Sequence, residues 1–114
     1  MPRLVHWEIQ STDVEKSKRF YADLFGWGMR QWSPDYALFD SGEGTGGGIS
    51  LVDRVPAPCI MVYVDVEDIE ATLARAESLG GRAVRHRTEI GGGMGFTGEL
   101  EDPCGCRIGL WSKA

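Results

Sequence analysis

Asp13-Val14-Glu15, followed by Leu24 and Gly26, returns 55 positions later as Asp68-Ile69-Glu70, followed by Leu79 and Gly81. Each passage comes after an apolar, strand-like run, Val5 to Gln10 in the first and Ile60 to Val66 in the second. The chain thus reads as two copies of one supersecondary unit, about residues 1–54 and 55–114 of a single domain. Half a domain cannot bury its own apolar face, so the copies are expected to pack or pair, and the surface they enclose is where a ligand would sit.

Outward from the repeat, Val5, Trp7 and Ile9 alternate with His6, Glu8 and Gln10, the period of a strand with one greasy and one polar face. Thr12 and Glu15 have the spacing of a capping box at a helix start. Val14, Phe20, Tyr21, Leu24 and Phe25 supply that helix with an apolar stripe, and Gly26 ends it. Strands are expected at about 28–32, 36–40 and 47–52, punctuated by Ser33-Pro34-Asp35 and by the glycines of 42–46. Pro56-Ala57-Pro58 reads as an extended connector between the copies. Ile69, Leu73, Ala76 and Leu79 then recur at helical spacing before Gly80-Gly81. Strands at about 82–89, 95–101 and 107–111 close the pattern, with Asp102-Pro103-Cys104-Gly105 as the last turn. Two units of strand, helix and three strands give an α+β domain. Its eight strands are expected to form a curved mixed sheet, a half-barrel cleft with helices outside.

Composition narrows the partners. A chain of 114 residues with 42% hydrophobic and 25% charged residues has the make-up of a soluble globular domain, and its net charge of −5 argues against nucleic acid. The basic cluster Arg82, Arg85, His86, Arg87 reads as the solvated face of one strand, with an anion site as the minority reading. The apolar run Cys59 to Val64 is far shorter than the roughly 20 residues a membrane helix needs. With three cysteines and no secretory pattern, no disulfide framework and a cytoplasmic location are expected.

The order and spacing of several strings together resemble the vicinal oxygen chelate superfamily, which includes glyoxalase I, bleomycin-resistance proteins and extradiol dioxygenases; the resemblance is nearest to its small members related to lactoylglutathione lyase. The strings are Val5-His6-Trp7-Glu8-Ile9, Phe20-Tyr21 with Leu24-Phe25-Gly26-Trp27, Gly46-Gly47-Gly48, Tyr63-Val64-Asp65-Val66, Leu79-Gly80-Gly81, Thr88-Glu89-Ile90, and Glu101-Asp102-Pro103 with Ile108-Gly109-Leu110-Trp111. The resemblance implies a cleft that commonly holds one divalent metal, a homodimer, and a small-molecule ligand. Carried over residue by residue, the four metal corners fall on His6, near Ser50, on Met61 and on Gly109. Glycine offers no side chain, serine is a poor ligand and methionine suits soft ions, so the usual site is expected to be lost and no cofactor is expected. A divalent ion held weakly by His6 and Glu8 with waters is the exception allowed for.

A polar constellation remains. His6 and Glu8 share one strand face, and Met61, Tyr63 and Asp65 share the matching face of the repeat. These residues suit proton transfer, with Glu8 or His6 as base and Tyr63 donating to a developing oxyanion. Met61, Asp65, Glu89 and Trp111 are the expected ligand contacts, although Asp65 is equally readable as the cap of the second helix. The same cleft serves a protein that binds or sequesters a small molecule without reacting, and glyoxalase I activity itself is not expected. Gly42 to Gly47 and Gly93 to Gly98 match a dinucleotide-binding spacing, yet neither opens a helix, so both read as loop glycines. Cys104 and Cys106 read as turn residues, and Trp7, Trp27, Trp32 and Trp111 as an aromatic set of which at least two pack the core.

Overall fold

The computed structural model describes residues 2–40, 42, 44–55, 60–104 and 106–114; the Pro56–Pro58 connector, Cys59 and Gly105 lie outside the described residues. It divides into two compact units, Val5–Met61 and, with residues 2–4, Val62–Ala114. The first unit carries β1 (Leu4–Ser11) apart from its first residue, then α1 (Val14–Phe25), β2 (Gly28–Ser33), β3 (Tyr36–Asp40) and β4 (Gly47–Leu51). The second carries most of β5 (Ile60–Asp65), then α2 (Ile69–Ser78), β6 (Arg82–Glu89), β7 (Phe96–Glu101) and β8 (Arg107–Ser112). Each is therefore the expected strand, helix and three strands, and the class is α+β. No helix among the described residues is long and apolar enough to cross a membrane.

Within the first unit the strands lie in the order β2-β3-β4-β1, and within the second in the order β5-β8-β7-β6. In each, the first strand pairs in parallel with the last, and the remaining pairs are antiparallel. Alternation then sorts the side chains. In the first unit Ile9, Ala37, Phe39 and Ile49 face the helix with Val14, and Trp7, Tyr21, Trp27 and Met29 pack on them. In the second, Ile69, Leu73 and Leu110 form the core with Val64, Val66, Ala83, Phe96 and Leu100 against it.

Three local expectations are corrected. The cap of α1 is Asp13, whose carboxylate accepts the Lys16 backbone N–H at 3.1 Å; the Thr12–Glu15 box does not form, and Glu15 instead pairs with Lys18 at 2.8 Å. An ionised side chain on the positive end of the helix caps at least as well as a hydroxyl, and here it wins. The repeat does the same, with Asp68 accepting from Ala71 N at 3.0 Å, so the α2 cap is Asp68 and not Asp65. The apolar stripe of α1 is only partly used. Phe20, Leu24 and Phe25 are each more than half exposed, while Trp27, from beyond the helix, stacks on Tyr21 and Phe39 and packs on the core. Leu79 is likewise exposed, at the C-terminal end of α2.

Candidate functional site

The face of the first unit turned away from α1 can be read as a grid. The backbone register sets Glu8 (β1) opposite Gly48 (β4), Gly48 opposite Leu38 (β3), and Leu38 opposite Arg30 (β2). Two residues along one way, Gln10, Ser50 and Tyr36 form the next row. Two residues along the other way, the same register brings His6, Gly46, Asp40 and Gly28 level, with Gly28 directly paired to Asp40.

Tyr36 crosses this grid diagonally. Its ring runs over Gly48, where a Cβ would collide with Tyr36 Oη and Cζ, and its hydroxyl reaches the carboxylate and imidazole of β1. Tyr36 Oη donates to Glu8 Oε2 at 2.9 Å, and His6 Nε2 lies 2.7 Å from the same oxygen. A phenol has one proton to give, so with that proton on Glu8 the His6 Nε2–H must be the donor to Tyr36. This fixes the neutral tautomer and makes Nδ1 the basic nitrogen. Burial also lowers the His6 pKa from its ordinary value, because the charged form loses solvation, so the imidazole is neutral near pH 7.

Of the three, only His6 lines the open groove beside them. That groove, about 530 Å³, is bounded by His6, Arg30, Leu38 and Asp40, and Gly46, Gly47 and Gly28 also line it. Glu8 is 9% exposed and holds the Tyr36 hydroxyl, and it does not line this groove. Sequence reasoning missed Tyr36 altogether. The signal available was Gly46-Gly47-Gly48, whose last member is empty because a ring occupies its place.

The other expected residues fall in separate places. Tyr63 and Met61 are buried, and along β5 they alternate with the core-facing Val64 and share a face with Asp65. Asp65 donates its backbone N–H to Arg3 O at 2.7 Å. Trp111 on β8 donates its indole N–H to Met94 O at 2.9 Å and packs on Gly95, tying down the 91–95 turn. Gly93 and Gly95, with Gly91 and Gly92 beside them, have positive φ as turn glycines do, whereas Gly98 lies inside β7 and Gly47 inside β4, so those two are strand and not loop glycines. Glu89 is exposed at the end of β6. Cys104 and Cys106 are free, exposed thiols whose backbone N–H groups both donate to Asp102 Oδ1, at 2.8 and 2.9 Å, as turn residues do.

A sequence profile of the Glyoxalase/Bleomycin resistance protein/Dioxygenase superfamily matches residues 3–110. The chain belongs to that superfamily. Among curated relatives, a candidate glyoxylase of Mycobacterium tuberculosis, CFP32, is 28% identical over 116 residues, covering 91% of this chain and 43% of its own length. The chain thus spans less than half of that relative. Among solved structures, a superfamily member from Vibrio splendidus 12B01 aligns at a TM-score of 0.67 with 16% identity over 98% of this chain and 99% of that one. Methylmalonyl-CoA epimerase from Mycobacterium tuberculosis aligns at 0.70 with 20% identity, over 97% and 87%. These likenesses establish the fold.

The superfamily's divalent metal does not fit the donors this member presents. His6 Nε2 is committed to Tyr36. Ser50 pairs with Gln10, four residues along from His6, which is about 13 Å of strand. Met61 offers a thioether, and the space where a Gly109 side chain would stand is taken by the Tyr63 ring. Among the described residues no three His, Cys, Asp or Glu side chains form a group that could hold a metal.

Proposed function

We propose that this chain takes a small oxygenated metabolite into the groove of its first unit and moves a proton between that molecule and His6. Tyr36 and Glu8 act as positioning residues. The observation that supports this reading is the Tyr36 hydroxyl bridging Glu8 and His6, with His6 alone of the three facing the groove.

A neutral imidazole held through Nε2–H presents Nδ1 as a base of suitable strength near neutral pH. When Nδ1 takes a proton from a carbon beside a carbonyl, or from a hydroxyl, positive charge develops on the ring. Tyr36 Oη, polarised by the Glu8 carboxylate, then accepts a stronger bond from Nε2–H and stabilises that charge in place. Return of the proton to another face or atom gives an isomer, and loss of a β-substituent from the carbanion gives a lyase product. The unsuitability of the four metal corners favours one second reading, a protein that holds its ligand without reacting, as sequestering proteins do.

Proton exchange separates the two. The protein in deuterated buffer is mixed with a panel of small 2-oxo and 2-hydroxy carbonyl compounds, and loss of the carbon-bound proton is followed by NMR. Wild type should exchange at least one compound, H6A should fall to background, and Y36F and E8Q should slow exchange about 10²-fold while still binding. H6A matching wild type would end the proton-transfer reading, and binding without exchange across the panel would leave the sequestering one.

A further inference from the structure

We infer that Arg30 is the anchor for a carboxylate on the substrate, so that the groove selects small hydroxy- or oxo-carboxylates; this rests on the proton-transfer reading of the same groove. Three observations converge on it. First, Arg30 lines the groove on the same face as His6, with Leu38 directly opposite as an apolar bed for its stem. Second, the Arg30 side chain makes no hydrogen bond or ion pair among the described residues, whereas the arginines of the second unit's strands are engaged. Arg82 and Arg107 pair with Glu101, Arg85 with Glu99, and Arg87 lies over the Phe96 ring. In a chain of net charge −5, a cation left uncommitted beside a base is the feature that would draw an anion in.

Third, the spacing suits a small molecule. Arg30 and His6 stand three strands apart and two residues out of level, about 16 Å between Cα atoms on a flat sheet. That span, less the reach of one arginine and one imidazole, leaves room for a compound of a few carbons between guanidinium and imidazole. Gly46 keeps the row between His6 and Asp40 open, and Gly28 does the same beyond Asp40, on the Arg30 strand. Asp40, diagonal to Arg30, already accepts the Gly42 N–H at 2.8 Å through Oδ1. Its charge disfavours a second anion at that end and suits a hydroxyl donor, so monocarboxylates bearing a hydroxyl fit better than dicarboxylates. A guanidinium fork gripping a carboxylate in two parallel bonds also fixes which carbon faces Nδ1.

The probes are lactate and glycerate, with lactamide and glycerol as their neutral counterparts and malate as the dicarboxylate, titrated into the full chain by calorimetry. The acids should bind at least about 10-fold tighter than the neutral compounds, and malate more weakly than glycerate. R30Q should cost the acids about 10- to 100-fold and leave the neutral compounds unchanged, with R30K between the two. Raising salt from about 0.02 M to about 0.5 M should weaken only the acids. Equal binding of acid and amide, an unaffected R30Q that melts like wild type, or no measurable binding of either acid to wild type would each overturn the assignment. The two readings fail differently. Arg30-dependent binding without deuterium exchange removes the proton transfer and keeps the anchor. Exchange that ignores R30Q removes the anchor and keeps the proton transfer.

Discussion

The two units share one packing device and differ in what surrounds it. In the first, the Tyr36 ring from β3 lies over Gly48; in the second, the Tyr63 ring from β5 lies against Gly109, and in each case the glycine is on the last strand of its unit. Around Tyr36 the polar groups form the chain Glu8, Tyr36, His6 at the edge of a groove, and Arg30 stands uncommitted. On the corresponding face of the second unit, Arg85 is held by Glu99 at 3.2 Å and by Thr97, and Glu101 takes Arg82 at 3.1 Å and Arg107 at 3.9 Å. Duplication kept the glycine that admits a ring while the chemistry diverged. One copy has polar groups that point into a groove, and the other closes its face with ion pairs of its own.

The largest break in this comparison comes from the glycines. G48A places a methyl group on the Tyr36 hydroxyl end, and G109A places one 2.5 Å from Tyr63 Cδ2, where the ring itself must move. Neither glycine has a positive φ, so the penalty is steric and not conformational. Each substitution should destabilise by about 1–3 kcal/mol, read as a fall in melting temperature. Only G48A should also abolish deuterium exchange, because displacing Tyr36 separates it from both Glu8 and His6. A G109A protein that stays folded yet loses exchange would contradict the division of labour between the copies.

Much of the fold was legible because its signals are local and repeated. The 55-residue offset, the alternation in β1 and β5 and the glycine stops gave every strand to within two residues at each end. The helix starts were misread by one residue in α1 because Thr12 and Asp13 are adjacent and both cap-competent, and their sequence does not say which one the preceding strand leaves in place. The stripe of α1 was overcounted because helical period marks which residues share a face, and says nothing of Trp27 arriving from beyond the helix to cover the core. The site was half legible. His6 and Glu8 lie on one strand and declare themselves, while Tyr36 reaches them across an intervening strand from 28 and 30 residues away. That contact depends on the β3–β4 and β1–β4 registers together, which no periodicity encodes. Gly48 was visible as a family-like turn but not as a vacancy for a ring.

A middle-sized effect sharpens the comparison through pH. Burial holds the folded His6 pKa below its unfolded value of about 6.5, so the unfolded chain binds the extra proton first. The stability His6 contributes is therefore present above about pH 6.5 and is lost as pH falls through the folded pKa. Denaturant melts of wild type and H6Q should agree in shape above neutrality and diverge below it, with wild type losing more on acidification. His86, the other histidine, is exposed and pairs with Glu70 at 2.9 Å, so H86Q should keep the acid sensitivity that H6Q removes. Parallel pH profiles for wild type and H6Q would show that His6 is not the buried imidazole described above.

The smallest effect belongs to the ion pairs of the second unit, and its smallness is the point. Glu101 is partly exposed and serves two arginines, each of which is more than half exposed, so solvent and salt screen both pairs. E101Q should cost no more than about 1 kcal/mol and only at low salt. Acid binding at the Arg30 groove and deuterium exchange should both stay at wild-type levels, since neither Arg82 nor Arg107 faces that groove. The informative outcome is the opposite one. If freeing Arg82 and Arg107 from Glu101 created new carboxylate binding, the closed face would be a second anion site held shut by its own acids, and the two copies would differ in occupancy and not in kind.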